Sequence, residues 1–212
     1  MKAGAAAGRL AVRVEPLTPE RSPDVATLFE EGGDPKWCWC AWFRVAGRDF
    51  SNATAADNRR TLEQATGDAA AEGRAPGLIA YADGRAVGWV SLGPRSDFGR
   101  IERSRLLAPI DDRPVWSIVC FVVSRTVRGR GVAEALLGAA ITYARHHGAT
   151  LLEAYPVDTS GGRIPSASAF RGTLSMFERA GFGVVAVRRA NRASPPRPIV
   201  RRAVGGPDGP NP

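Results

Sequence analysis

The sequence predicts a single α/β domain, with a mixed sheet flanked by helices. The chain has 212 residues, which is enough for one well-buried core and short for two. Residues 115–157 show an apolar strand, an amphipathic helix and a second apolar strand, the pattern of a crossover unit with parallel strands. Residues 76–94 form two apolar runs around Asp83-Gly84, a dipeptide that favours a tight antiparallel hairpin.

The other elements follow from the spacing of apolar residues and from the glycines and prolines that end each run. In chain order we predict a strand at 10–17, a helix at 22–33, a loop or short helix at 34–45, a helix at 53–68, an irregular stretch at 100–114, a polar loop at 158–170, a helix at 171–181, and strands at 182–190 and 197–204. One domain therefore spans 10–203, after a flexible N-terminus at 1–9 and before a disordered tail at 204–212.

Composition and charge indicate a globular protein with a preference for anionic ligands. Hydrophobic residues make up 44% of the chain, and the formal net charge is +8. Almost all of the basic residues are arginines, whose planar guanidinium suits phosphate. These residues are scattered along the chain, which argues against a nucleic-acid-binding face. A phosphate-rich cofactor is the better candidate.

Cysteine usage and hydropathy bear on the cellular compartment. Cys38, Cys40 and Cys120 are an odd set, which argues against a disulfide framework. No apolar run reaches the roughly 18 residues of a membrane span, and the N-terminus is too weakly apolar for a signal peptide. We therefore expect a cytoplasmic protein with reduced thiols and no membrane partner.

A glycine-rich turn follows the apolar strand at 115–123. Gly129 and Gly131 stand directly before the helix, where free N–H groups and the positive end of the helix dipole favour an anion. Arg128 and Arg130 flank the glycines and would add forked donors. The known phosphate-loop patterns with a conserved Lys or a third glycine do not match. The alternative is a tight turn with two surface arginines.

This turn and the order of the elements resemble the GNAT superfamily of N-acetyltransferases. Family members carry Gln/Arg-x-x-Gly-x-Gly/Ala at this place, and residues 126–131 match it except for Thr126. Residues 176–182, MFERAGF, are similar to a second family motif, with Phe177 where many members have Tyr. The likeness covers about 10–203, and similar Cys-Trp-Cys segments occur in bacterial members. It implies the GNAT fold, a mostly antiparallel sheet whose central parallel strands splay apart.

The resemblance further implies that acetyl-CoA binds in the splay between the two parallel strands. By alignment to the family, the backbone at three positions would contact the pantetheine and the thioester: Phe121, Val122 and Val123. The pyrophosphate would be held by the turn and the first residues of the helix: Arg128, Gly129, Arg130, Gly131, Val132 and Ala133. Backbone donors suffice for this task.

Three residues are candidates for proton transfer. Glu153 stands in an apolar strand beside the expected splay, where burial would raise the pKa of its carboxyl and suit it to act as a base. The alternative is that Glu153 pairs with an arginine. Tyr155 lies on the same side of that strand and would donate to the sulfur or line the acceptor site, and the alternative is that it is a core or rim aromatic. Ser117 matches the position of a family glutamate and is too weak a base alone.

The segment at 34–45 is rich in aromatic residues. In the family this part of the chain covers the acceptor end of the cleft, so the resemblance implies an acceptor pocket walled by Trp37, Trp39, Trp42 and Phe43. The alternative is that these rings pack the helices on the sheet. Cys-x-Cys without a second cysteine pair or nearby histidine does not predict a metal site.

The function predicted is transfer of an acetyl group from acetyl-CoA to a primary amine by direct attack. The acceptor is expected to be a small molecule, such as an antibiotic or a metabolite. A protein or peptide acceptor is one alternative, and a non-catalytic acyl-CoA sensor is another, favoured by the departures at Thr126 and Phe177. An RNA-binding role for the arginines is the weakest reading, and a homodimer is left open.

Overall fold

The structure is a computed structural model that describes residues 8–31, 37–160, 162 and 170–205. The strands are β1 (Arg13–Pro16), β2 (Gly77–Ala82), β3 (Arg85–Pro94), β4 (Trp116–Val123), β5 (Leu151–Ala154), β6 (Gly183–Arg188) and β7 (Arg197–Ala203). The helices are α1 (Ser22–Glu31), α2 (Gly47–Asn52), α3 (Ala55–Ala71), α4 (Gly99–Arg103), α5 (Val132–His146) and α6 (Leu174–Arg179). The predicted terminal segments at 1–9 and 204–212 fall largely outside the described residues.

The seven strands form one sheet in the order β1-β2-β3-β4-β5-β7-β6. All neighbouring strands are antiparallel except β4 and β5, which are parallel and joined through α5. This architecture confirms the predicted mixed, mostly antiparallel sheet with one parallel central pair. The predicted hairpin is also confirmed, with Asp83 and Gly84 in the left-handed conformation that such a turn requires. The predicted strand at 149–157 is shorter in the structure, ending at Ala154.

Hydrophobic residues on the two faces of the sheet form separate cores. The face toward α5 buries residues such as Leu136 and Phe177, and the other face buries Phe29 and Phe43. Trp89 is fully buried in the second core. Its indole lies so close to Gly77 that a Cβ at that position would overlap it. The two cores hold the sheet rigid between the helices, so the central strands offer a firm edge to a ligand.

A β-bulge interrupts the pairing of β4 with β3. Ser91 pairs with Cys120 and Leu92 pairs with Ile118, so Val119 is an extra residue on β4 without a partner on β3. Parallel pairing of β4 with β5 stops at the same point, at Ile118. The bulge bends β4 away from β5, and the gap between the two strands opens beyond it.

The backbone beyond β5 also turns away from β4. The N–H of Val157 donates to the carbonyl of Gly172 at 3.0 Å, and the N–H of Leu174 donates to the carbonyl of Val157 at 2.8 Å. The backbone groups of Val157 are therefore bonded to Gly172 and Leu174, at the start of α6, and are not available to pair with β4. The splay predicted between the parallel strands is present.

Gly138→Ala is expected to stabilise the protein. Gly138 is exposed within α5, and a Cβ there would meet no atom within 4 Å. Glycine in a helix costs roughly 0.5–1 kcal/mol relative to alanine, so the free energy of unfolding in urea should rise by about that amount. Gly77→Ala is the control, and it should lower the free energy of unfolding, because its Cβ would clash with Trp89 and the backbone of Val90. A loss of stability in Gly138→Ala would contradict the prediction.

Candidate active site

The glycine turn between β4 and α5 has the geometry of an anion site. Gly129 has φ 74° and Gly131 has φ 82°, a conformation that side-chain-bearing residues rarely adopt. Gly131 precedes the first residue of α5, Val132, and no side chain caps this helix. The first N–H groups of a 15-residue helix therefore remain available to a ligand.

A cavity of about 350 Å³, here called the turn cleft, joins the end of β4 to this turn. It is lined by Phe121, Val122, Val123, Val127, Arg128, Gly129, Gly131, Val132, Ala133, Glu134, Phe170, Gly172, Thr173 and Met176. The acid in this set, Glu134, is paired with Arg179 at 3.3 Å. The cleft is therefore lined mainly by apolar side chains and by backbone.

Beyond Ile118, the edge of β4 that faces the turn cleft has no backbone partner among the described residues, and only the carbonyl of Val123 accepts a side-chain hydrogen bond there, from Nε of Arg128. The N–H of Ser124 donates to the carbonyl of Val87 on β3 at 2.9 Å. Because backbone groups alternate between the two edges of a strand, Phe121 and Val123 direct theirs to the opposite edge, where pairing with β5 has ended. Val122 pairs with Trp89 on β3, so its backbone groups face that strand, and Val122 also lines the cleft.

The two arginines of the turn, Arg128 and Arg130, make different contacts. Arg128 lines the cleft, and its Nε donates to the carbonyl of Val123 at 3.1 Å. Arg130 is not among the residues that line the cleft, since its Nε donates to the carbonyl of Gly8 at 3.5 Å. A Cβ at Gly131 would lie 3.0 Å from Nε of Arg9, so Arg9 stands beside the turn. Sequence reasoning missed Arg9, because nothing local connects it to a turn about 120 residues away.

A second cavity of about 490 Å³, the aromatic pocket, has two lining residues in common with the turn cleft, Val122 and Phe170, here called the junction. Its lining is Phe29, Trp37, Cys38, Cys40, Trp42, Phe50, Cys120, Val122, Phe170, Arg171 and Arg197. Val122 lies on β4 past the bulge at Val119, so the junction lies where the pairing of the central strands has ended.

The four aromatic residues proposed for an acceptor pocket divide into two pairs. Trp37 and Trp42 line the aromatic pocket. Trp39 instead stacks on Phe29, with ring centroids 5.1 Å apart, and Phe43 is fully buried. Trp39 and Phe43 therefore pack in the core, as the alternative predicted. Sequence reasoning did not single out Arg171 and Arg197 on the same wall.

The three cysteines lie together as free, buried thiols beside the aromatic pocket. The sulfur of Cys40 is 2.7 Å from that of Cys120 and accepts a hydrogen bond from Nε1 of Trp89 at 3.2 Å. Burial raises the pKa of the Cys38 thiol to about 12. Cys38 is therefore held as a thiol, and the three buried cysteines serve as small wall residues of the pocket.

Glu153, Tyr155 and Ser117 are brought together in one buried hydrogen-bonded group. The hydroxyl of Tyr155 donates to Oε1 of Glu153 at 2.5 Å and lies 3.4 Å from Oγ of Ser117. Nε of Arg201 donates to Oε2 of Glu153 at 2.7 Å. Glu153 on β5 and Tyr155, just past the end of that strand, therefore lie on one side, as predicted. Glu153 also pairs with an arginine, which was the alternative.

Arg201 links Glu153 to a second carboxylate, that of Asp111. Both terminal nitrogens of Arg201 donate to Asp111, at 2.6 and 2.9 Å. The hydrogen bonds from Arg201 lower the pKa of Asp111 to about 2, and Arg201 in turn has a raised pKa. Burial, followed by the charge of Glu153, raises the pKa of Tyr155 well above its ordinary value. Tyr155 is therefore held as a neutral hydroxyl. Tyr155, Glu153 and Ser117 are buried and line neither cavity.

Comparison with known proteins identifies the family. The sequence model of the acetyltransferase (GNAT) family matches residues 37–164, more than half of the chain. The chain belongs to the GNAT family. This GNAT protein is accordingly an acetyltransferase, and the co-substrate of its family is acetyl-CoA. No curated protein matches its sequence.

Solved GNAT structures share the fold at low sequence identity. A polyamine N-acetyltransferase from Drosophila melanogaster that forms N-acetylagmatine is 13% identical, with TM-score 0.59, over 91% of this chain and 100% of that chain. An N-acetyltransferase from Staphylococcus aureus is 12% identical, with TM-score 0.54, over 92% and 99%. The PaiA N-acetyltransferase from Thermoplasma acidophilum in complex with coenzyme A is 13% identical, with TM-score 0.52, over 92% and 99%.

The residues of the turn cleft fit the chemistry of acetyl-CoA. Positive-φ glycines and an uncapped helix start offer N–H donors suited to a diphosphate. The free edge of β4 offers groups spaced for an extended amide chain such as pantetheine. Among the described helices of this GNAT protein, none is long and apolar enough to cross a membrane.

Proposed function

We propose that this GNAT protein transfers the acetyl group of acetyl-CoA to a primary amine of a small molecule, by direct attack in a ternary complex. The observation that carries the proposal is the junction of the turn cleft and the aromatic pocket at Val122 and Phe170. A thioester entering from the first cavity and an amine entering from the second would meet there. Two cavities with a common wall suit a small acceptor better than an extended peptide groove would.

For acetyl-CoA, we propose that the N–H groups around Gly129, Gly131 and Val132 bind the pyrophosphate, with Ala133 in the same first turn. Phe121 and Val123 would bond the pantetheine amides along the free edge of β4. Arg128 lines the cleft and Arg9 stands beside the turn, so both would add positive charge near the phosphates.

In the reaction, the amine nitrogen forms a bond to the thioester carbonyl carbon, and the carbon–sulfur bond breaks. The amine loses a proton, and the thiolate of coenzyme A gains one. We keep Glu153 as the proposed base, with Tyr155 as the proposed acid and Ser117 as a hydrogen-bonding partner of Tyr155. The raised pKa of Tyr155 keeps its hydroxyl protonated, so that it can donate a hydrogen bond, and makes it a weaker acid than an ordinary tyrosine. The contact between Glu153 and Arg201 supports a positioning role for Glu153 as the competing assignment.

The test is release of free thiol from acetyl-CoA with a panel of small primary amines and of peptides, with the products identified by mass spectrometry. The proposal expects turnover with at least one small amine and a mass gain of one acetyl group. Turnover with peptides alone would favour a protein acceptor. If coenzyme A binds and no acceptor releases thiol, the protein is an acyl-CoA sensor and the proposal fails.

A homodimer and a cytoplasmic location stay predictions. β6 lies at the edge of the sheet and exposes Val184, Val185 and Val187, the kind of edge at which a second copy would pair. Light scattering on the purified protein decides the oligomeric state.

A further inference from the structure

The aromatic pocket contains two arginines that have no acidic partner among the described residues. Arg171 and Arg197 both line the pocket, and no aspartate or glutamate belongs to its lining. Arg171 is 8% exposed, and two of its guanidinium nitrogens, Nε and Nη1, are buried without a hydrogen-bond partner in the described part of the chain. A buried guanidinium without a counter-ion is costly, so such a group is typically completed by a ligand.

The electrostatics of Arg171 agree with this geometry. Burial is the main cause that lowers its pKa, to about 10, and the positive charge of Arg197 is the second cause. Arg171 therefore remains charged near neutral pH, and the two guanidinium groups line the same cavity. An anion in the pocket would relieve the repulsion between them and supply the missing hydrogen-bond acceptors.

Positive charge extends into a neighbouring cavity of about 340 Å³. This cavity shares Trp42 and Arg197 with the aromatic pocket, and Arg100 and Arg103 also line it, again without an acidic residue. The guanidinium of Arg100 lies 4.4 Å from the ring centroid of Trp42. A cationic acceptor such as a polyamine would therefore meet positive charge on this side of the junction, and among the described residues no carboxylate lines either cavity to bind it.

We propose that the acceptor is a primary amine that also carries an anionic group, a carboxylate or a phosphonate, bound by Arg171 and Arg197. Its apolar body packs against Trp37 and Trp42, and its amine points to the junction at Val122 and Phe170. The inference rests on the proposed acetyl transfer and names the substrate class. The arginines select for the anion, because an acceptor without it leaves them unpaired in the pocket.

The test compares matched amines that differ in one anionic group: phenylalanine with phenethylamine, and tryptophan with tryptamine. Agmatine and spermidine serve as cationic amines. We expect kcat/KM to be at least about tenfold higher for each carboxylate-bearing member than for its decarboxylated partner. Equal or higher kcat/KM for the decarboxylated or cationic amines would overturn the inference and leave acetyl transfer intact.

Variants separate a role in recognition from a role in folding. Arg171→Gln should reduce the preference for the carboxylate member to near unity, and Arg171→Lys should retain part of it. Arg85→Gln removes an equal charge from an exposed ion pair with Glu31 and should leave the preference unchanged. An unchanged preference in Arg171→Gln would also overturn the inference.

A binding measurement covers the case in which no amine releases thiol, which would defeat the proposed function. N-Acetylphenylalanine has the same carboxylate and body, and its binding is followed by the fluorescence of Trp37 and Trp42. Binding that weakens at least about tenfold in Arg171→Gln and not in Arg85→Gln would support the arginine site by itself. No binding to the unaltered protein, or equal binding to both variants, would overturn it.

Discussion

Gly129→Trp is expected to weaken the binding of coenzyme A by on the order of 100-fold or more, while the fold persists. A Cβ at Gly129 would meet no atom within 4 Å, so the indole would occupy open space in the turn cleft. There it would exclude the pyrophosphate from the start of α5. Hydrogen bonds to charged groups contribute about 1.5–3 kcal/mol each, so the loss of one or two of them accounts for the effect. Calorimetry with coenzyme A measures it.

The matched control is Gly148→Trp, which adds the same side chain at another glycine with positive φ, 81°, where a Cβ would again meet no atom within 4 Å, so both variants carry the same backbone strain. It should leave the affinity for coenzyme A unchanged. Gly131→Trp should repeat the effect of Gly129→Trp, with an added collision against Arg9. Unaltered affinity in both turn variants, with circular dichroism spectra like that of the original protein, would remove the turn from the coenzyme site.

Glu153→Gln is expected to lower the free energy of unfolding by about 3 kcal/mol, since it removes a charged partner of the buried Arg201. The amide keeps the shape and still accepts the hydrogen bond from Tyr155, so the loss reports mainly the ion pair. Urea denaturation at neutral pH measures it. Glu63→Gln breaks an exposed pair with Arg59 and should cost only about 0.3–0.5 kcal/mol. Equal costs in the two variants would show that the contact with Arg201 is not stabilising.

The pH dependence of turnover in Glu153→Gln separates a base from a positioning residue. If Glu153 accepts the proton of the amine, the variant loses turnover mainly at low pH, because at high pH the amine is already deprotonated in solution. A uniform loss at every pH would assign Glu153 to positioning Tyr155. A profile like that of the unaltered protein would remove Glu153 from the mechanism.

Local sequence was sufficient to predict the turn and most of the strands. The two glycines before an amphipathic helix specify a positive-φ turn and an open helix start, since few other residues adopt that backbone. The hairpin at Asp83-Gly84 follows from the same rule. The residues of the buried group on β5 were found for a similar reason, because a carboxylate in an apolar strand stands out in the sequence.

The partners of these residues were not predictable in the same way. Glu153 and Arg201 are 48 positions apart, and many arginines competed for the role of partner. The bulge at Val119 arises from pairing with β3 and has no mark in the apolar run of β4. Likewise, the sequence did not distinguish Trp42 on the wall of the pocket from Phe43 in the core behind it.

The sequence by itself determined the order of the elements, the parallel central pair and the glycine turn, because these depend on residues close together along the chain. Only the tertiary structure decided that two cavities meet beside the bulge, and that Arg171 and Arg197 share one of them without an acidic partner among the described residues. The physical reason is that burial and pairing of a charge depend on segments that fold together from distant parts of the chain. The local pattern predicts an element, but it does not specify the neighbours that the element acquires on folding.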